Sequence, residues 1–85
     1  MNIGIAISQR VRTLLKNKRM SQHRLEEKSG ISHGTMNCFL NNRYKSCNFI
    51  TILKIVRALK ISIKDFFDDP IFNISELNVD DIVNQ

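Results

Sequence analysis

Hydrophobic residues near the start of the chain recur three and four positions apart, which is the spacing of one face of an α-helix. Basic residues fill many of the positions between them, so the pattern is amphipathic. We predict a helix that ends near Asn17, and Asn2 is a residue able to cap its start. The apolar residues that define this face are Ile7, Val11, Leu14 and Leu15.

Two short helices are predicted next, and each begins directly after a serine. Ser21 precedes Gln22–Ser29, and Ser32 precedes His33–Asn41. A serine hydroxyl can accept a hydrogen bond from a free backbone N–H at a helix start. Gly30 lies between the two segments and can adopt the left-handed conformation that ends a helix. The pattern therefore predicts two helices joined by a very short turn.

The second half of the chain contains two further predicted helices. Asn48 can cap Phe49–Leu59, and Ser62 can cap Ile63–Phe67. Pro70 cannot continue a helix and is predicted to end the regular domain. With three glycines and one proline, the chain has few of the turn residues of a strand-rich fold. The predicted fold class is all-α, with five helices.

The segment after Pro70 alternates apolar and acidic residues without a clean period. A short helix, an extended strand and disorder all remain open for it. It is too apolar for a free, solvated tail. Its apolar side chains either cover a hydrophobic patch on their own domain, near Ile3 and Ile5, or form a dimer contact. The residues concerned are Ile71, Phe72, Ile74, Leu77 and Val79.

Charge is distributed unevenly along the chain. All 13 lysines and arginines lie between Arg10 and Lys64, where only Glu26 and Glu27 oppose them, a net charge of +11. Residues 65–85 contain six acidic residues and no basic ones, a net charge of −6. A basic body indicates a polyanionic partner. The acidic tail is expected to lie on another face or to mask the basic one.

Length and composition exclude several classes of protein. Eighty-five residues form one domain at most, and 42% hydrophobic residues support a modest core rather than a deep catalytic cleft. No apolar run approaches the ~20 residues that span a bilayer, and the first residues lack the features of a signal peptide. Cys38 and Cys47 do not make a disulfide framework. We therefore expect a cytoplasmic protein without membrane association.

Candidate chemistry other than binding is sparse. The chain has no glycine-rich phosphate loop and no evident pair of nucleophile and base, so we expect no enzymatic activity and no cofactor. A zinc site is disfavoured because the possible ligands His33 and Cys38 would lie on different sides of one helix. We interpret His23 and His33 as surface residues. A pH switch at His33 and redox sensing at Cys38 are weaker alternatives.

The stretch from Gln22 to Asn41 has the spacing of a helix-turn-helix. Gln22 starts the first helix of the pair, where an amide and free N–H groups can hold a phosphate. Gly30 permits the tight turn, and Ser32 caps the second helix so that its first turn points outward. The residues expected to hold the two helices together are Leu25, Ile31, Met36 and Phe39.

This motif and its flanking helices resemble the repressor and Cro type of helix-turn-helix protein, the xenobiotic-response-element (XRE) family. The resemblance covers roughly residues 5 to 67 and includes the stretches from Thr51 to Leu59 and from Ile61 to Phe67. It implies a lambda-repressor-like DNA-binding domain at residues 1–68 and an acidic, apolar C-terminal extension at residues 69–85. It also implies a homodimer that binds double-stranded DNA and regulates transcription, with repression as the expected sign. The alternative is a protein-interaction module, such as an antitoxin or a partner-held regulator, that works through its tail.

The resemblance implies roles for individual positions. Thr35 can meet a base edge or a thymine methyl group, Asn37 can pair with adenine, and Cys38 suits an apolar contact. The residues expected to contact bases in the major groove are His33, Gly34, Thr35, Asn37 and Cys38. The residues expected to contact the DNA backbone are Gln22, Asn41, Arg43 and Lys45.

Other basic residues are harder to assign from sequence. A charge run is usually a solvated face, and we interpret the basic residues of the fourth and fifth helices in that way. These are Lys54, Arg57, Lys60 and Lys64. The basic residues of the first helix and the turn after it could serve either role, and they include Arg10, Arg12, Lys16 and Lys18.

Three departures from the family pattern are informative. Many members pair an Arg late in the first helix with a Glu near the end of the recognition helix, whereas this chain has Leu15 and Leu40 there. Because both positions are apolar together, we predict that Leu15 contacts Leu40. Glu26 replaces the usual Ala at the helix crossing, which predicts a looser crossing or a Glu stem that leans out to water. The loop from Asn42 to Cys47 is one residue longer than is common, and Asn42 stands where Gly is usual.

Overall fold

The computed structural model describes residues 2–41 and 48–77, and all regular structure within these residues is helical. The predicted all-α fold with five α-helices is confirmed. Two 3-10 helices follow the fifth α-helix and end the described part of the chain. The elements are α1 (Ile3–Asn17), α2 (Gln22–Ser29), α3 (His33–Leu40), α4 (Phe49–Leu59), α5 (Ile63–Phe67) and the 3-10 helices Pro70–Phe72 and Ile74–Glu76.

Each α-helix begins directly after the residue that the sequence predicts as its N-cap. The side-chain oxygen of each cap accepts a hydrogen bond from a backbone N–H of the first turn, which satisfies one of the donors that a helix start leaves free. The end of α3 differs by one residue from the prediction, because Asn41 is its C-cap. The cap–donor pairs are Asn2–Gly4 (2.6 Å), Ser21–Arg24 (3.1 Å), Ser32–Thr35 (3.3 Å), Asn48–Ile50 (2.8 Å) and Ser62–Asp65 (3.0 Å).

The turn between α2 and α3 has the left-handed residue that the sequence predicts. Gly30 has a φ of 75°, and its N–H donates to the Glu26 carbonyl at 3.0 Å. Buried Ser29 supports the turn, since its hydroxyl oxygen accepts from the Ile31 N–H at 3.2 Å. The turn is therefore short, and it is held by hydrogen bonds on both sides of the glycine.

One apolar cluster joins all five α-helices. Packing of α1 against α3 and of α2 against α4 encloses it. Leu15 and Leu40 are both members, with 8% and 1% of their surfaces exposed. Burial of both side chains in one cluster is what their predicted contact requires. The members with no exposed surface are Val11, Leu25, Met36, Ile55 and Phe66.

Arg10 joins α1 to the end of α5. Its Nε donates to the Phe66 carbonyl at 2.8 Å, and its Nη2 donates to the Asp65 carbonyl at 2.8 Å. Its Nη1 lies 3.2 Å from the Asp69 carboxylate. The carbonyls at a helix C-terminus have no partner within the helix, so a cation is favoured there. This interaction network, which the charge pattern did not reveal, fixes the start of the C-terminal segment on the body.

The packed structure continues beyond Pro70, which the sequence predicts to end the regular domain. Pro70 instead begins a 3-10 helix that packs against α1. Phe72 lies 5.9 Å and 4.9 Å, between ring centroids, from Phe66 and Phe67. This first part of the tail therefore covers its own domain, whereas Ile74 is 71% exposed. Val79 lies outside the described residues.

Candidate nucleic-acid interface

The first turn of α3 is exposed to solvent. His33, Gly34 and Thr35 all have exposed side chains or surfaces. The Ser32 hydroxyl orients this turn, since it accepts from the Thr35 N–H at 3.3 Å and donates to the Thr35 hydroxyl at 3.0 Å. Buried Met36 anchors the opposite face of α3 in the core. The fold thus exposes the first turn of α3 to solvent while the opposite face of the helix packs in the core.

The remaining predicted base-contacting residues lie one turn further along. Asn37 and Cys38 are half-buried rather than exposed. Their side chains follow the exposed turn on the same short helix, and the next residue, Phe39, is buried. The predicted base-contacting residues therefore all lie on α3 but differ in their solvent exposure.

Glu26 brings the beginnings of α2 and α3 together. Its Oε2 atom accepts from Gln22 Nε2 at 2.9 Å and lies 2.9 Å from His33 Nδ1. The Glu26 side chain is 9% exposed. Two of the predicted DNA-contacting residues, one for the backbone and one for bases, therefore share a single carboxylate oxygen and lie side by side.

This arrangement contradicts the expectation that the Glu26 stem leans out to water. The carboxylate turns toward the helix pair, where it finds two donors, rather than out to water. The hydrogen bond from Gln22 holds the pKa of the Glu26 carboxyl below its ordinary value of 4.5. Burial acts in the opposite direction, and the His33 hydrogen bond and the charges of His33 and His23 lower the pKa further. The carboxyl is therefore ionised at neutral pH.

Arg12 holds the other end of α3. Its Nε and Nη2 atoms donate to the Leu40 carbonyl at 3.2 Å and 2.6 Å. Its Nη2 also donates to Asn41 Oδ1 at 3.3 Å, and Asn41 Nδ2 donates to Asn37 Oδ1 at 2.9 Å. The sequence left Arg12 open between phosphate contact and solvation. Its observed place is at the C-terminus of α3, and it lies one turn before Leu15 in α1.

The other charged residues of the body are mostly at the surface. Glu27 pairs with His23 at 2.8 Å and with Arg24 at 3.6 Å, so α2 carries a local network beside the site. Lys16 and Lys18 are exposed at the end of α1 and after it. Arg43 and Lys45, predicted to contact the DNA backbone, lie outside the described residues. The residues interpreted as a solvated face are all exposed: Lys54, Arg57, Lys60 and Lys64.

Within the described residues the structure has neither a cluster of metal ligands nor a membrane-spanning helix. No three His, Cys, Asp or Glu side chains of residues 2–41 and 48–77 lie together in a way that could hold a metal ion. Cys38 is half-buried and unpaired in this part of the chain, and Cys47 lies outside it. In the same residues, no helix has the length and apolar character required to cross a bilayer.

Comparison with known families agrees with this geometry. The model of the Cro/C1-type HTH DNA-binding domain matches residues 10–70, which include α2, α3 and the turn between them. No individual curated protein and no solved structure gives a significant match. The family match spans most of the chain and confirms the resemblance that the helix-turn-helix pattern indicated. The chain belongs to the family of Cro/C1-type helix-turn-helix DNA-binding domains.

Proposed function

We propose that this protein is a sequence-specific transcriptional repressor that inserts α3 into the major groove of DNA. One observation carries the proposal: the Glu26 carboxylate holds Gln22 and His33 side by side at the start of the exposed turn of α3. A residue expected at a phosphate is thereby set beside a residue expected at a base. A helix that recognises base edges while contacts to the DNA backbone fix its position needs this arrangement.

The dimensions and shape of α3 suit this role. The major groove is about 12 Å wide and admits one α-helix. Apart from its chain neighbours and the backbone of its own helix, no heavy atom lies within 4 Å of the position that a Cβ of Gly34 would take, so this part of the surface is open. Thr35 is exposed next to it. A small residue beside a short hydroxyl side chain lets the helix backbone come close to the base edges.

Electrostatic attraction would supply much of the affinity. Residues 1–64 carry a net charge of +11, and phosphate contacts by Lys and Arg release counterions from DNA. We propose that Gln22 and Asn41 contact the DNA backbone, because they lie at the two ends of the motif. Arg43 and Lys45 follow α3 in sequence and are proposed to do the same.

A homodimer on a two-fold symmetric site is part of the proposal. Dimers of helix-turn-helix proteins place their recognition helices about one turn of DNA apart, ~34 Å, so two half-sites at that spacing are expected. Repression follows from occupancy, because a protein bound over a promoter excludes polymerase. A reporter fused to the selected site should lose expression when the protein is present, and a rise in expression would indicate activation instead.

The direct experiment is selection of bound sequences from a random DNA pool, followed by gel retardation at several salt concentrations. The wild type should enrich a two-fold site, and its affinity should fall steeply as salt rises. Thr35→Ala should weaken discrimination between sites, whereas Thr13→Ala, a matched change on exposed α1 surface, should not. Absence of any retardation at low salt would reject DNA binding, and retardation without an enriched site would reject sequence-specific recognition.

A further inference from the structure

We infer that Glu26 makes His33 a hydrogen-bond acceptor toward DNA, so that His33 selects adenine or cytosine at one position of each half-site. This inference rests on the proposed function and names what one part of the reading surface recognises. Glu26 is a positioning residue here, because its carboxylate acts through His33 and is 9% exposed behind it.

The assignment follows from hydrogen-bonding capacity. An ionised carboxylate can only accept, so the His33 nitrogen that lies 2.9 Å from Glu26 must carry the proton. A neutral imidazole has one N–H, so with Nδ1 protonated its Nε2 is an acceptor. Nε2 has no hydrogen bond within the described residues, and the His33 side chain is 76% exposed. The acceptor is therefore available to a ligand.

The major groove contains few groups that can donate to such an acceptor. Only the N6 amino group of adenine and the N4 amino group of cytosine donate there, whereas guanine and thymine present acceptors. Gly34, the next residue in α3, adds no side chain to this part of the surface. A neutral His33 that is held by Glu26 should therefore disfavour guanine and thymine at the base it meets.

The test combines sequence selection with matched variants at pH 8.5, where a histidine ring is neutral. Wild-type protein should enrich adenine or cytosine over guanine and thymine at one position per half-site, by about five- to a hundredfold. His33→Ala should lose this preference at that position only. Glu26→Gln should lose it as well, because an amide can donate or accept and no longer fixes the ring. Glu27→Gln removes the same charge from α2 without touching His33 and should retain the preference.

A measurement on the free protein separates the inference from the proposed function. Imidazole nitrogen chemical shifts at pH 8.5 should show His33 protonated at Nδ1 in the wild type and in Glu27→Gln, and a mixture of tautomers in Glu26→Gln. Protonation at Nε2 in the wild type would overturn the inference even if DNA binds. An unchanged selected site in His33→Ala would do the same. If the wild type selects no site at all, the proposed function fails, and the inferred recognition fails with it.

The geometry also points to Arg12 as a positioning residue for Asn37. A guanidinium can only donate, so the Asn41 atom that faces Arg12 is Oδ1 and the Nδ2 of Asn41 faces Asn37. The Asn37 atom that receives this donor is therefore Oδ1. Its Nδ2 makes no hydrogen bond within the described residues and remains available as a donor toward the groove.

A donor that is fixed toward the groove can meet only bases that present an acceptor there. Adenine presents N7, guanine presents O6 and N7, and thymine presents O4, whereas cytosine presents only the N4 donor. A free amide could turn its oxygen toward cytosine N4, but the link through Asn41 holds the Asn37 oxygen away. Arg12 thus makes Asn37 disfavour cytosine at the base it meets.

Selection with three variants tests the role of Arg12. Wild-type sites should show a preference against cytosine at the Asn37 position by about fivefold or more. Arg12→Met should remove that preference, and Arg12→Lys, which retains a donor without an acceptor, should recover part of it. Lys16→Met removes an equal charge from the same helix and should lower affinity for all sites without changing the preference.

A second variant distinguishes loss of the link to Asn37 from loss of the fold. Asn41→Ala breaks the link to Asn37 but leaves the bond from Arg12 to the Leu40 carbonyl, so it should change the same position while its melting temperature stays close to the wild type. A wild type that prefers cytosine, or an unchanged preference in both Arg12→Met and Asn41→Ala, would overturn the role. A wild type that retards no DNA would reject the proposed function instead.

Discussion

Arg10 binds three groups at once in a chain of 85 residues. Two of them are backbone carbonyls near the end of α5, and the third is the Asp69 carboxylate. The Arg10 side chain is 13% exposed, so water competes little for its donors. Hydrogen bonds to charged groups under such conditions stabilise a fold more than exposed ion pairs do.

Replacement of Arg10 by Met tests this contribution. Arg10→Met keeps the apolar stem but removes the donors, and we expect the free energy of unfolding to fall by about 2 kcal/mol. Urea denaturation measures the change. Arg24→Met is the matched control, since its 3.6 Å pair with Glu27 is well exposed, and it should cost less than about 0.5 kcal/mol. Equal losses in the two variants would contradict the role of Arg10.

Glu26 predicts an acid-sensitive component of stability. Its pKa is lowered in the folded state, so the unfolded chain takes up the proton first as pH falls below about 4.5. The stabilisation is therefore complete above that pH and is lost as pH falls through the lowered pKa. Urea denaturation at successive pH values should show a steeper loss for the wild type than for Glu26→Gln. Parallel curves for the two proteins would contradict the prediction, and Glu27→Gln serves as the charge-matched control.

Residue-scale prediction from sequence was best for short side chains and poorest for long ones. The cap residues bond within their own turn, so Ser21 and Ser32 were predictable from local spacing. Arg10, Arg12 and Glu26 find partners on other helices, and a charged residue in a helical pattern looks the same whether it faces water or a neighbouring helix terminus. Their partners required the fold.

At the scale of elements, the helix-turn-helix depends on one backbone conformation. The left-handed φ of Gly30 allows α2 to stop and α3 to start within three residues. Sequence predicted this turn because glycine and capping serines are local signals. The predicted contact between Leu15 and Leu40 rested on two matched departures from a family pattern, and both side chains are buried in one apolar cluster. The end of α3 was harder to predict, because Asn41 fits either the last residue of the helix or its C-cap.

Two glycine substitutions distinguish the strain of a left-handed backbone conformation from the effect of a new methyl group on the surface of α3. No atom would obstruct a Cβ at Gly30 or at Gly34, so steric overlap with neighbours does not distinguish them. Gly30→Ala should destabilise the fold by about 1 kcal/mol because an L-residue disfavours the left-handed region. Gly34→Ala should stabilise α3 by about 0.5–1 kcal/mol, since alanine is the better helix former.

Thermal denaturation and gel retardation should then give opposite results for Gly34→Ala. Its melting temperature should rise, while its affinity for the selected site should fall because the new methyl group faces the proposed groove contact. Higher stability with unchanged affinity would remove Gly34 from the reading surface. A Gly30→Ala protein as stable as the wild type would contradict the strain argument for the turn.

At the scale of the whole molecule, α1 contacts both residues 65–69 and the end of α3. Arg10 binds the end of α5 and Arg12 binds the end of α3. These two residues are two positions apart, which is about 200° around a helix. Residues 65–69 and α3 are therefore held on different sides of α1. The sequence left two places open for the acidic segment, another face or the basic one, and it could not indicate that Arg10 of α1 binds residues 65 and 66.

Removal of residues 78–85 tests whether the acidic tail opposes DNA binding. The cut falls after Leu77 because Asp69 and Phe72 contact the body. The deletion removes Asp80 and Asp81 and raises the net charge from +5 to +7. Two fewer charges of the same sign as phosphate should tighten binding by about two- to fivefold at low salt, and salt should screen the difference.

Gel retardation across a salt series measures this effect. Asp80→Asn with Asp81→Asn is the matched control, because it removes the charges while keeping the chain length. Equal gains in the deletion and the double substitution would support electrostatic opposition. A gain in the deletion alone would show that the tail covers the DNA-binding surface, and no gain in either would exclude both roles.

The position of the Glu26 carboxylate behind α3 bears on how such a regulator diverges from its relatives. A substitution in the reading surface changes the preferred base and the fit to DNA together, so an intermediate that binds neither the old nor the new operator is a frequent outcome. If α3 binds DNA as proposed, a substitution at Glu26 adds no group to the DNA-facing surface and acts only through the two side chains that Glu26 contacts, Gln22 and His33. After gene duplication, two copies could acquire separate operators by a single change that DNA never touches.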